Sequence, residues 1–319
     1  MSSAKQPGSS SDVVELHSEA KLQGEFERAS LFEPIQIGGL HLKNRIFMAP
    51  LTRTRATKEH VPTPIMAKYY AQRASAGLII SEATGISRTG LGFPFAPGLY
   101  SSEQVEGWKA VTEAVHAAGG KIFAQLWHMG RTAHPSFWGG DKPLSCSATA
   151  LSGMAHTYEG RQPYVEAREL TVSDIKGVID DFAVAARNAI DAGFDGVQLH
   201  AANGYLIDQF LRDSTNFRTD EYGGSIENRL RFLIEVTQAV VAEVGAERTA
   251  VRLSPNGASQ GCDDSDQDAL FTAVGAALSK FDLAFLELRD VGMHGTFGAS
   301  NRLQVAPLIR RVFKGPLIL

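Results

Sequence analysis

Short apolar runs rich in Ile, Leu, Val and Phe alternate along this chain with longer stretches in which apolar positions recur at helical spacing. The runs fall at 45–51 (RIFMAPL), 77–83 (GLIISEA), 121–127 (KIFAQLW), 196–200 (GVQLH), 249–254 (TAVRLS), 283–288 (LAFLEL) and 316–319 (PLIL). Amphipathic stretches at 63–74, 102–118, 173–192, 226–244, 267–280 and 303–313 predict the helices that join them. The helix at 102–118 opens on Ser-Ser-Glu, which supplies cap chemistry, and ends at Gly119 and Gly120; Ser173 and Gly193 are the corresponding signals for the next helix. Seven buried strands, most followed by a helix, predict an α/β fold of the (β/α)8 TIM-barrel type. A doubly wound sheet is disfavoured because no G-x-G-x-x-G follows the first strand. The count stands one below eight, so the expectation is a barrel lacking its eighth βα unit, with strands seven and one presenting open edges.

Composition narrows the class. The 319 residues are 44% hydrophobic and 21% charged, enough for one large core. A net charge of −4 offers no basic field for a phosphodiester backbone, so nucleic acid is not an expected partner. Cys146 and Cys262 are the only cysteines, too few and too distant for a disulfide framework or a Cys-built metal site, and they fit free thiols in a reducing cytosol. No apolar run approaches the length of about 20 residues that a membrane span needs. The stretch 1–28 is polar and Ser-rich without the apolar centre of a signal peptide, which predicts a disordered tail, a barrel domain over 29–319 and a cytoplasmic protein. An insertion at about 130–170, rich in Gly, Pro, Ser and His, leaves the end of the third strand, where a lid over the active-site mouth belongs.

In such barrels the C-terminal strand ends face the site. Here they carry Pro50-Leu51-Thr52, Glu82-Ala83-Thr84, Gln125-Leu126-Trp127-His128 and His200-Ala201-Ala202-Asn203-Gly204-Tyr205, with Arg252 in the fifth run. The acids Glu82, Glu287 and Asp290 are scattered, which argues against two-carboxylate glycoside hydrolysis. His128 and His134 form no HExxH, and no G-x-S-x-G is present, so neither a zinc site nor a serine elbow is expected. What remains is a set of hydrogen-bond donors suited to holding a polar ring and polarising a carbonyl.

From about residue 31 to 319 the chain resembles the old yellow enzyme family of FMN-dependent, NAD(P)H-oxidising ene-reductases. The resemblance rests on LFEPIQIGGLHLKNRIFMAPLTRTRA, on HAANGYLIDQFL at 200–211 and on the N-x-R-x-D-x-Y-G-G-S-x-x-N-R run at 216–229. It implies that Pro50, Leu51 and Thr52 belong to the flavin pocket, with Thr52 donating to the flavin O4 edge. Ala83 is implied to approach the ring, Gln125 to read its pyrimidine edge, and Arg252 to neutralise charge at N1 and O2 of the reduced ring. His200 and Asn203 are implied to donate to a substrate carbonyl or nitro oxygen, Tyr205 to protonate the adjacent carbon, and Trp127 to line the substrate pocket. Each also has a structural alternative: a cap for Thr52, core packing for Trp127 and Gln125, an ion pair for Arg252. The implied cofactors are FMN with NADPH or NADH, the substrates small enones or nitroalkenes, the assembly a monomer or homodimer, and no metal is involved. Family members continue past strand seven with a segment that holds the FMN phosphate, so the chain is expected to be C-terminally truncated relative to them and to hold FMN weakly. The alternative is a flavin-free relative serving as a binding or interaction protein.

Overall fold

The computed structural model describes residues 31–292 and 300–319; the stretch 1–28 expected to be a disordered tail, and His294 in the loop after the sixth predicted strand, lie outside them. The strands are β1 (Ile35–Ile37), β2 (Leu40–Leu42), β3 (Phe47–Met48), β4 (Leu78–Gly85), β5 (Ile122–Trp127), β6 (Leu144–Ser145), β7 (Met154–Thr157), β8 (Gly160–Pro163), β9 (Arg168–Glu169), β10 (Gly196–Ala201), β11 (Thr249–Asn256), β12 (Phe285–Asp290) and β13 (Leu317–Ile318). The α-helices are α1 (Pro64–Ala71), α2 (Ser102–Ala117), α3 (Val172–Asp191), α4 (Leu206–Leu211), α5 (Ile226–Val244), α6 (Gln267–Leu278) and α7 (Ala306–Val312).

Seven strands form one parallel sheet in the order β13-β12-β11-β10-β5-β4-β3, and among the described residues β3 and β13 each pair on one side only. The sheet is curled. Phe285 of β12 meets Phe47 of β3 edge-on at 5.6 Å and Phe123 of β5 at 5.7 Å, although these strands are far apart in the sheet order. The antiparallel hairpin β1–β2 sends Ile37 and Leu42 into the same apolar cluster as Leu78, Phe123, Ala250 and Phe285, and so plugs the end where the strands begin. The outer faces of the strands pack against the helices in a second, larger core that includes Trp108, Phe182, Phe210, Phe232 and Phe271. Among the described residues no helix is long and apolar enough to cross a membrane.

The seven predicted strands all appear, with shifted limits. Strand one shrinks from 45–51 to Phe47–Met48, because Pro50 lacks the N–H that would continue the ladder. The fifth and sixth strands run on to Asn256 and Asp290, so Arg252 sits mid-strand, and Arg289 joins the sheet. Ser173 does not cap α3. Thr171 does, in a capping box with Asp174, and Ser173 lies in the first turn. The insertion at 130–170 is not a plain loop: it contains two 3-10 turns, the hairpin β7–β8 and the short pair β6–β9. The hairpin β1–β2 and the helix α4 are too short to establish a period in the sequence pattern.

Replacing the fully buried Phe285 by Ala removes the ring on which three strands converge. The expected loss is about 3–5 kcal/mol of unfolding free energy, measured by urea denaturation; a loss below about 1 kcal/mol would mean the barrel centre is not packed on this ring.

Candidate active site

At the end where the strands stop, polar side chains replace the aliphatic filling. Parallel register does the placing: Gln198 of β10 stands beside Gln125 of β5, His200 beside Arg252 of β11, and Arg252 beside Glu287 of β12. Gln125 Nε2 donates to Gln198 Oε1 at 2.8 Å, and Gln198 Nε2 donates to Glu287 Oε2 at 2.6 Å. Glu287 Oε1 then lies 3.0 Å from Arg252 Nε, a charge pair in which the Nε–H is not aligned as a hydrogen bond. A continuous polar row thus crosses four strands inside the barrel, with both amides buried.

The loop after β3 is held from below. Glu82 is buried, accepts the Arg53 N–H at 2.9 Å and the Tyr70 hydroxyl at 3.2 Å, and has its pKa raised by burial. Its carbonyl sits in a bulge of β4, where the Ser81 and Thr84 hydroxyls both donate to it. This bulge sets Ala83 at the barrel mouth opposite Gln125. Of the neighbouring residues Pro50 and Thr52 are half-buried, whereas Leu51 is 52% exposed.

The turn after β10 is locked more tightly. Asn203 adopts a left-handed conformation with φ 60°, and its N–H donates to Ser254 Oγ at 2.7 Å. At Gly204, φ 80°, a Cβ would collide with the Ser259 carbonyl, so only glycine fits. The Gly204 N–H donates to Asp208 Oδ2 at 2.9 Å, and Asp208 pairs with Arg212 at 2.8 Å, both side chains almost fully buried. Arg289 Nη1 donates to Asn203 Oδ1 at 3.1 Å. A guanidinium has no acceptor, so the Asn203 oxygen must face it and the NH2 is turned the other way. Tyr205 follows, its ring edge-to-face with Trp127 at 5.0 Å and with His200 at 4.9 Å.

Electrostatics follow from burial. His200 has its pKa held well below the ordinary range, first by burial and then by the Arg252 charge, so its imidazole is neutral. Burial raises the Tyr205 phenol, with Tyr164 of the insertion adding to the shift and Gln260 opposing it. The buried atoms Trp127 Nε1 and His200 Nδ1, like Arg252 Nε, make no hydrogen bond among the described residues. Buried polar atoms without partners mark places a ligand or water completes. Beside Arg252 a cavity of about 770 Å³ opens between the segment after β3 and β12–β13, lined by Ala49, Arg252, Glu287, Arg289 and Leu317.

The insertion reaches this region through Arg131, whose guanidinium donates to Thr149 Oγ1 and to the Gln260 carbonyl, both at 3.0 Å, while Gln260 Nε2 donates to the Asn203 carbonyl at 2.9 Å. Its hairpin rests on aromatic contacts of Tyr158 with Phe95 and Phe137.

The structure therefore brings together Trp127, His200, Asn203 and Tyr205 in one cluster and Gln125 and Arg252 in one polar row, with Ala83 beside Gln125. It adds Gln198, Ser254, Gln260 and Arg289, and puts Glu287, read from the sequence only as a scattered acid, into the polar row. A signal existed for two of these: Gln198 and Glu287 are polar residues inside otherwise apolar strand runs, at period two from His200 and from Phe285.

The family described as NADH:flavin oxidoreductase / NADH oxidase matches residues 30–318. The flavin oxidoreductase hxnT of Emericella nidulans is 49% identical over 244 residues, 74% of this chain and 62% of that protein. The chain thus spans less than two thirds of that relative's length. A probable flavin mononucleotide-dependent alkene reductase of Leishmania infantum is 46% identical over 278 residues, 85% of this chain and 75% of that protein. Among solved structures, the old yellow enzyme homologue from Zymomonas mobilis superposes with a TM-score of 0.89 at 58% identity, covering 91% of this chain and 81% of its own.

The buried histidines generate a pH prediction. His128, whose Nδ1 accepts the Gly130 N–H at 3.1 Å, has its pKa lowered by burial from 6.5 to about 3. Between those values the unfolded chain binds a proton that the folded chain refuses, so stability is complete above the unfolded pKa and declines as pH falls below it. Acidification from about pH 7 to about pH 5 is expected to cost roughly 2 kcal/mol through His128 alone. Urea unfolding at both pH values should show that His128→Gln removes a share of this size; an unchanged pH dependence would mean that His128 is protonated in the fold.

Proposed function

The chain belongs to the NADH:flavin oxidoreductase / NADH oxidase family, and from that premise we propose that it is an FMN-dependent ene-reductase. It would use NADPH or NADH to reduce the activated C=C bond of α,β-unsaturated carbonyl or nitro compounds. The observation that carries this reading is the convergence, at the mouth of one curled sheet, of the buried Trp127 Nε1 and His200 Nδ1, which make no hydrogen bond among the described residues, with the Arg252 guanidinium, whose pairing with Glu287 leaves it a charge to offer. A polar planar ring and an oxygen-bearing substrate are what such donors complete.

The residues present fit FMN. In this reading Gln125 offers the ring an amide, Arg252 a guanidinium and Thr52 a hydroxyl, and Pro50, Leu51 and Ala83 supply apolar surface. When bound, FMN supplies hydride chemistry between the nicotinamide and the alkene. The protein's own work is positioning and charge. His200, neutral and carrying one N–H, and the Asn203 amide, turned outward by Arg289, donate to the carbonyl or nitro oxygen, where negative charge develops. The Tyr205 phenol, kept protonated by burial, delivers a proton to the carbon next to that group. Trp127 lines the substrate space against Tyr205.

The insertion at 130–170 is taken as the lid: it contacts the Asn203 turn through Arg131 and Gln260, and Tyr164 lies close enough to influence Tyr205. An eighth βα unit, the closing element of such barrels, would pair with β13 on one side and β3 on the other. Two buried cysteines, with thiol pKa values raised by burial to about 11 and about 12, fit a cytoplasmic protein, acting as a monomer or homodimer on small molecules.

The test is the visible spectrum of the purified chain with added FMN, then anaerobic NADPH or NADH, then 2-cyclohexenone. A bound-flavin spectrum that bleaches with the nicotinamide and recovers with the enone is expected; a folded chain that binds no flavin would overturn the reading. In the same assay Tyr205→Phe should slow the recovery step by roughly 10²–10⁴-fold while leaving bleaching unchanged. Equal slowing of both steps would remove Tyr205 from the acid role.

A further inference from the structure

The polar row inside the barrel has a direction, and one residue sets it. An amide can face its neighbour with either end, and two amides in series such as Gln125 and Gln198 have no preferred sense by themselves. Glu287 removes the ambiguity. Paired with Arg252 at 3.0 Å, its carboxylate is an acceptor only, so the Gln198 group facing it at 2.6 Å must be the NH2. The opposite end of Gln198, its Oε1, then faces Gln125 and takes one of that residue's N–H groups at 2.8 Å. Both glutamines are buried, with 1% and 0% of their surfaces exposed, so water does not offer them a competing arrangement. Gln125 is left with its carbonyl oxygen and one N–H for whatever lies at the mouth. The same carboxylate partly neutralises the guanidinium of Arg252.

We infer that Glu287 is a positioning residue for the flavin ring, orienting the Gln125 amide through Gln198 and restraining the positive charge that Arg252 presents to the reduced ring. The inference rests on the proposed FMN site. Its physical content is that a cation near the ring favours the anionic reduced form, and a carboxylate 3.0 Å from that cation weakens the preference.

The experiment measures the FMN dissociation constant and the flavin midpoint potential of the full chain, of Glu287→Gln and of Gln198→Met. Glu287→Gln keeps the shape but removes the charge. It should raise the preference for reduced over oxidised flavin about tenfold, a positive shift of about 30 mV for a two-electron couple. Gln198→Met cuts the row while leaving the Glu287–Arg252 pair. It should weaken both redox forms alike, by about twofold or more because the Gln125 amide is free to turn, and leave the potential in place. An unchanged potential in Glu287→Gln, or the same shift in both variants, would overturn the inference while FMN binding by the unsubstituted chain stood. Absence of FMN binding by the unsubstituted chain would overturn the FMN reading, and this inference with it.

Discussion

Everything at the mouth of this barrel depends on the requirement that polar groups taken into the sheet interior be matched by partners. Arg252 and Glu287 sit side by side in the register of β11 and β12, and each would be an expensive isolated charge without the other. Once the pair exists, Gln198 and Gln125 are satisfied in turn, and the row ends at the site with its remaining donors and acceptor unspent. The same pair places a positive charge next to His200 and contributes to keeping that imidazole neutral.

A second buried network does for the proposed substrate side what the row does for the proposed cofactor side. The Asp208–Arg212 pair, Ser254 and Gln260 all bind the turn at 203–204, which carries a left-handed Asn and a Gly that tolerates no side chain. Such a turn is strained for an ordinary loop and persists because the surrounding bonds over-determine it. The result is a fixed Asn203 amide and a Tyr205 ring stacked edge-on between Trp127 and His200. Rigidity here suits the proposed reaction, since donors that need no reorganisation stabilise developing charge most effectively.

The two networks are joined by the strands themselves. Arg252 and Ser254 lie two residues apart on β11, so one strand supports the polar row and the turn at 203–204 together. Arg289 on β12 extends the link by engaging Asn203 directly, two residues from Glu287. A shift of either strand would disturb both halves of the proposed reaction at once.

Much of this was legible in the chain. The alternation of apolar runs and amphipathic stretches determined the strand order and the helical layer, because burial on both faces and on one face leave different patterns. The motif around 200–211 and the residues Gln125 and Arg252 pointed to a donor-rich mouth, since buried polar residues inside apolar runs need a partner or a task. Only the tertiary structure decided which partner. That Glu287 pairs with Arg252, that Gln198 bridges to Gln125, and that Arg289 orients Asn203 depend on register and curl between strands up to 89 residues apart in the chain. The direction of an amide and the neutrality of an imidazole are properties of neighbours in space, and a linear pattern carries no record of them.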